Sequence, residues 1–155
     1  MTVDIREVEV TDTHALRRAV LRGGRPDAEV AYAEDELPGT FHLAAVDAGA
    51  IVAVSTWAPV PSEHRPGAVA WRLRGMAVDA RRQGGGVGAT LLAAAVERLT
   101  AAGAEVLWAD GRDAALPFYE RHGWRVHGEG FVAAGGIPHH VVVLDLTASA
   151  AGGGG

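Results

Sequence analysis

Asp79-Ala80-Arg81-Arg82-Gln83-Gly84-Gly85-Gly86-Val87-Gly88 is the stretch on which the reading of this chain turns. Before it, Ala68 to Val78 places Val69, Trp71 and Leu73 alternately with Arg72 and Arg74, the period of two expected of a strand. After it, Leu91, Leu92, Ala95, Val96 and Leu99 recur at helical spacing between Gly88 and Ala102, and Gly103 supplies a stop. A strand, a glycine-rich turn and a helix therefore follow one another. The first turn of a helix leaves backbone N–H groups unpaired and carries partial positive charge. Glycines let those groups approach a phosphate with no Cβ in the way, and the arginines before them add charge. The segment is suited to a phosphate or a pyrophosphate.

Three meanings of such a turn compete. A nucleotide P-loop needs Gly-Lys-Ser/Thr, whereas Gly88-Ala89-Thr90 lacks the lysine. A dinucleotide fold wants its glycines after the first strand and an acid about 20 residues later; here the turn is mid-chain, and Glu105 opens the next strand rather than ending it. The third meaning is an ordinary flexible turn in a chain with 21 glycines.

Outward from the turn, the same periodicities organise the rest. Val3 to Val10 reads as a strand and His14 to Arg22 as a helix, with Thr11 or Asp12 as its cap and Gly23-Gly24 as its end. Pro26 to Glu36 is acidic and Ala-rich, read as a short helix broken at Pro38-Gly39. Phe41 to Val46 and Ile51 to Trp57 form a hairpin through Asp47-Ala48-Gly49-Ala50. Pro59 to Pro66 is a loop, and Gly75 inside the next strand marks a bulge or a close backbone approach. Glu105 to Ala109 is a strand, and Ala114 to His122 is a helix with Pro117 in its first turn, ended by Gly123. Trp124 to Ala133 and His139 to Leu146 are two closing strands. The sum is an α+β domain, with hairpins first and a strand–helix–strand unit in the second half.

Composition removes several classes. The chain has 155 residues, the size of one domain, and a net charge of −5, against a nucleic-acid partner. It has no cysteine, so disulfides, thiolate zinc sites and a cysteine nucleophile are excluded together. The seven histidines are scattered, and His139 and His140 are adjacent, hence on opposite faces of a strand, so no metal site is expected. The opening Met1 to Glu7 lacks an apolar signal region, and no apolar run approaches the roughly 20 residues that span a bilayer. A cytoplasmic protein without a membrane partner is expected. Residues 1–149 are expected to form one domain, and residues 150–155 a glycine-rich flexible tail.

The turn has informative company. Leu73-Arg74-Gly75-Met76-Ala77-Val78-Asp79 precedes it. Leu107-Trp108-Ala109-Asp110-Gly111-Arg112, then Ala115 and Phe118-Tyr119-Glu120-Arg121-His122-Gly123-Trp124, follow it. Across Leu73 to Trp124 the chain resembles the GNAT superfamily of N-acetyltransferases, whose signature Gln/Arg-x-x-Gly-x-Gly/Ala is met by Gln83, Gly86 and Gly88. Gly136-Ile137-Pro138-His139 is similar to a segment of some members. The resemblance implies a mixed, mostly antiparallel twisted sheet flanked by helices, acetyl-CoA as co-substrate and no metal. It implies an acyl-pantetheine arm lying along the strand before the turn, bonded by the backbone of Met76 and Val78. Gly84, Gly86, Val87, Gly88 and Ala89 would then bind the pyrophosphate through their N–H groups. Arg81 and Arg82 would contact the pyrophosphate or the 3′-phosphate; alternatively they are a solvated surface pair. Tyr119 would donate a hydrogen bond or proton to the departing thiolate, and the alternative is that it only packs. An asparagine common in relatives has its place at Asp110, which cannot donate as an amide does and can instead be held by Arg112.

The implied reaction is direct attack of an amine on the thioester. An alkylamine of pKa near 10 is about one part in a thousand neutral at pH 7, a cost of roughly 4 kcal/mol, so a base is required. Some relatives use a glutamate before the glycine turn, where this chain has Arg72 and Arg74. Glu129 is the residue chosen here, with Glu29, Glu34, Asp35, Glu36, His139 and His140 as the other candidates. The acceptor is a small-molecule or peptide amine, which the acidic run Glu29 to Glu36 could attract. Rival functions are a non-catalytic acyl-CoA sensor, and an acyltransferase using another acyl-CoA or a hydroxyl acceptor. Exposed strand edges allow a homodimer.

Overall fold

The alternating stretches assemble into seven strands ordered β1-β2-β3-β4-β5-β7-β6 in the computed structural model, which describes residues 2–147. The tail expected at 150–155 lies outside the described residues. The strands are β1 (Asp4–Val8), β2 (Phe41–Asp47), β3 (Ala50–Ala58), β4 (Ala70–Val78), β5 (Val106–Arg112), β6 (Arg125–Ala133) and β7 (Ile137–Asp145). The helices are α1 (His14–Leu16), continued by a π-helical turn at Arg17–Leu21, then α2 (Val87–Ala101) and α3 (Leu116–Arg121). The α+β reading is met: β1–β2, β2–β3, β5–β7 and β6–β7 are antiparallel, and β4–β5 is parallel.

Two compact units divide the chain: Met1–Pro59 with Arg74–Leu99, and Val60–Leu73 with Thr100–Gly155. In the first unit Phe41 to Asp47 pairs with Ala50 to Trp57 across a two-residue turn, Ala48-Gly49. Both turn residues have positive φ (49° and 82°), the backbone that matches strand twist in a tight hairpin. Ala44, Val46, Val54 and Ala77 form a buried cluster, with Val8, Leu16, Val20, Leu21 and Ile51 against it. The apolar stripe of α2 is buried at Val87, Leu91, Leu92, Ala95 and Leu99, close to the expected face.

In the second unit the parallel ladder runs from Ala70 opposite Val106 to Leu73 opposite Ala109, and β4 continues five residues beyond that last pair to Val78. Val106, Leu107, Val142 and Val143 are fully buried, and Trp124 nearly so. Pro117 sits in the first turn of α3, as expected, because the missing N–H costs nothing there.

Two expectations are corrected. Pro26 to Glu36 is helical only as a 3-10 turn at Ala33–Glu36. Its acids bond the nearby backbone instead: Glu29 Oε1 accepts from the N–H groups of Val30 and Ala31, each at 3.0 Å, and Asp35 Oδ2 accepts from Tyr32 N at 2.9 Å. Short-range bonds of this kind compete with a helix. Secondly, β5 extends to Arg112, so Asp110 lies within the strand rather than in the turn after it.

Candidate active site

The glycine turn is held from beneath by its own polar residues. Asp79 accepts from Arg81 N at 3.0 Å, and its carboxyl is kept below the usual carboxylate range chiefly by bonds from Arg81. Gln83 Nε2 donates to Val78 O at 3.0 Å, closing the turn back on the end of β4. Gly84 and Gly86 have φ of +82° and +88°, conformations that other residues enter only at a cost. A Cβ at either would meet nothing within 4 Å, so these glycines border open space rather than packed neighbours. The first bond of α2 is donated by Thr90 N to Gly86 O, at 3.0 Å. The N–H groups of Val87, Gly88 and Ala89 thus precede the helical ladder, and the positive end of the helix lies with them. A concave backbone with several free donors and no side chain across it can hold an anion. A cleft of about 270 Å³ lined by Leu16, Ala19, Val20, Asp79, Ala80 and Gln83 belongs to the same unit.

The two arginines are not equivalent. Arg81 is paired with Asp79 at 3.1 Å and its side chain is 88% exposed, whereas Arg82 Nη2 is 2.7 Å from Asp47 Oδ2 and largely covered. Arg81 can swing toward a ligand at little cost; Arg82 also braces the turn against the end of β2.

Tyr119 lies in the second unit, on α3. Its ring packs on Gly111, where a Cβ would stand 3.3 Å from Cε2, and against Trp124 at 5.3 Å between ring centres. Burial alone pushes its hydroxyl up to about 12, with no charge or hydrogen bond contributing. A phenol in this state is protonated throughout the working range and has a hydrogen to offer. Phe118 packs edge-on to both Tyr119 and His122.

Two of the acids expected to attract an amine are paired with arginines. Asp35 takes two bonds from the fully buried Arg17, each at 2.9 Å, and Glu34 pairs with Arg74 at 3.0 Å. Tyr32 stacks beneath both guanidinium groups, 4.2 Å from Arg17 and 4.1 Å from Arg74. A Cβ on Gly75 (φ +62°) would lie 2.8 Å from Tyr32 Cε2 and 3.0 Å from Arg17 Nε, which is the close approach that this glycine signalled. Arg17 also donates to Thr56 Oγ1 at 2.7 Å, and Thr56 Oγ1 is 2.8 Å from His42 Nδ1. Burial holds the His42 pKa below its ordinary value, so this ring is neutral inside the network.

Asp110 is held by Arg72, at 2.8 Å, and not by Arg112 as expected; Arg72 in turn stacks on Trp108 at 4.7 Å. The cause is the extension of β5, which puts Trp108 opposite Arg72 in the ladder and Asp110 two residues further on the same face. Glu129 is exposed on β6 between Gly128 and Gly130. The two adjacent histidines have separate partners: His139 Nδ1 is 2.8 Å from Ile137 O, and His140 Nδ1 is 2.7 Å from Asp113 Oδ1. The His140 pairing was missed in the sequence, where nothing local ties positions 113 and 140. Among the described residues no group of three His, Asp or Glu is placed to hold a metal ion. The residues expected on acetyl-CoA, Met76 to Ala89, thus fall in the first unit, and Tyr119 and Glu129 in the second.

Known proteins share this fold. Residues 10–124 match the Acetyltransferase (GNAT) family. The Bacillus subtilis (strain 168) protein YitI, an uncharacterized N-acetyltransferase, is 29% identical over 141 residues, covering 91% of this chain and 94% of its own. An aminoglycoside 6′-N-acetyltransferase solved with coenzyme A superposes with a TM-score of 0.72 at 16% identity, covering 94% of this chain and 98% of that one. The ribosomal-protein-S18-alanine N-acetyltransferase of Escherichia coli does so with 0.70 at 21% identity, over 96% of each chain. With its glycine turn ahead of α2 and a family match across three quarters of its length, the chain belongs to the acetyltransferase (GNAT) family and is an acetyltransferase.

Proposed function

We propose that this protein transfers the acetyl group of acetyl-CoA directly to a primary amine. The observation that carries the proposal is the row of N–H groups at Val87, Gly88 and Ala89 beside the side-chain-free arc of Gly84 and Gly86. These donors suit the pyrophosphate, and the likeness to a fold solved with coenzyme A supports that choice of ligand. Met76 and Val78, on the part of β4 past its last pair with β5, would bond the pantetheine amides. Arg81, exposed and held only by a neighbouring acid, would add charge to a phosphate, with Arg82 steadying the turn. Gln83 acts through its bond to Val78 O, shaping the turn.

Tyr119 serves the leaving group. An ordinary thiol has a pKa near 8.5, so full proton transfer from a phenol at about 12 is uphill by about 3.5 units, roughly 5 kcal/mol. Tyr119 therefore donates a hydrogen bond to the developing thiolate and keeps its proton. The base must offset the roughly 4 kcal/mol needed to free an alkylamine of its proton at pH 7. Glu129, the carboxylate expected in that role from the sequence, is exposed on β6.

The test is a screen for free thiol released from acetyl-CoA on mixing with amino acids, polyamines, aminoglycosides and peptide N-termini, with the products checked by mass. Amine-dependent thiol release with an acetylated product is expected. Binding of acetyl-CoA without turnover on any class would favour a sensor, and turnover confined to alcohols or longer acyl-CoAs would replace the amine or the acetyl group in this reading.

A further inference from the structure

We infer that His140, oriented by Asp113, is the base that takes the proton from the attacking amine. The inference rests on the proposed acetyl transfer. His140 stands opposite Gly111 in the antiparallel β5–β7 ladder, so the two point to one face of the sheet. That is the face on which Tyr119 lies, because a Cβ on Gly111 would touch the Tyr119 ring and Val142 Cγ2. His140 and the proposed hydrogen-bond donor thus share a face of the same unit.

The tautomer of the ring is also set. A carboxylate oxygen can only accept, so at 2.7 Å His140 Nδ1 carries the hydrogen and donates it to Asp113 Oδ1. The neutral ring is left with its lone pair on Nε2, the tautomer a base needs. The edge bearing Nε2 lies over Gly130, where a Cβ would come within 2.8 Å of both Nε2 and Cε1. Here β6 changes register: His127 pairs with Val141 and Phe131 with His139, so residues 128–130 face His140 alone. Such a bulge makes room for a side chain and re-aims it. The His140 side chain is 27% exposed and that of Asp113 38%.

On α3 Tyr119 meets this face, and Glu120 and Arg121 follow it in the helix; on β5, Asp110 and Arg112 alternate to the other face, and β6 presents the bare Gly130 between Glu129 and Phe131, with His127 and Arg125 further along. Among the described residues no ion pair or hydrogen bond fixes Glu129, so its carboxylate lacks the orientation that proton transfer requires. In the step, the amine nitrogen bonds the thioester carbon and the C–S bond breaks. The amine proton moves to His140 Nε2, Asp113 stabilises the imidazolium, and the thiolate takes its hydrogen bond from Tyr119. His140 then returns its proton to solvent.

The experiment is a kcat and kcat/KM profile against pH for wild type, His140→Gln, Asp113→Asn, His139→Gln and Glu129→Gln, with an amine found in the screen and CoA binding measured alongside. His140→Gln is expected to lower kcat by about 10²-fold or more, with CoA affinity unchanged and the acid limb of the profile removed. Asp113→Asn is expected to shift that limb to lower pH, and it carries the test if His140→Gln does not fold. His139→Gln and Glu129→Gln are expected to keep the limb. A His140→Gln enzyme with wild-type turnover and limb overturns the inference, as does loss of the limb in Glu129→Gln or His139→Gln instead. If wild type acetylates no amine, the proposed function falls first and the base with it; if wild type turns over, only the base is at stake.

Discussion

Tyr119 carries a hydroxyl whose proton is held by burial. Replacing it with phenylalanine keeps the ring on Gly111 and Trp124 and removes only the hydroxyl. A fall in kcat of about 10²-fold is expected, with CoA affinity held within twofold. Because burial raises the pKa to about 12, the hydroxyl does not ionise over the assay range. Wild-type kcat is therefore expected to show no alkaline loss from this group up to pH 10, which a rate profile in overlapping buffers reads directly. Folding stability has the same sign: the contribution is fully present below the unfolded tyrosine pKa near 10 and fades as pH climbs toward 12.

The segment between α1 and β2 shows how an element can be built without regular structure. Its frame is the Arg17–Asp35 pair, fully buried on the arginine side and 5% exposed on the other. Burial by itself would raise the Asp35 pKa, but the bonds from Arg17 and from Tyr32 N outweigh it and leave it lowered. Asp35→Ala strands a buried guanidinium and is expected to cost about 3–5 kcal/mol, measured as a drop in the urea midpoint. In wild type this stabilisation is present above the ordinary carboxylate pKa and is lost as pH falls through the depressed value, so the variant is expected to show a flatter acid limb of stability. Little of this was legible in the sequence. The strands and α2 could be read because their periods are local and repeat every two or 3.6 residues. The glycine turn could be read because a helix start and its glycines are neighbours in sequence. Arg17 meets Asp35 across 18 residues and Thr56 across 39, and Asp113 meets His140 across 27. Within the acidic run, Asp35 and Glu34 are committed to Arg17 and Arg74, pairings that no local pattern signals. Asp110 was misplaced for a related reason, since β5 gains its last residues from pairing with β7 rather than from its own composition.

At the scale of the molecule, the proposed reading separates binding from turnover. Variants of the glycine turn in the first unit should act on acetyl-CoA binding, and variants of Tyr119 and His140 in the second should act on turnover. Gly86 and Gly103 make the sharpest comparison for the first part. They flank α2, with φ of +88° and +92°, and each has open space where a Cβ would go. Alanine therefore imposes similar backbone strain at both, roughly 1–2 kcal/mol, but only at Gly86 does it fill the arc beside the free N–H groups. The deciding measurement is a calorimetric titration of coenzyme A into wild type, Gly86→Ala and Gly103→Ala. Gly86→Ala should weaken binding at least tenfold while Gly103→Ala binds as wild type does; equal affinity in all three would mean that this turn does not hold the pyrophosphate.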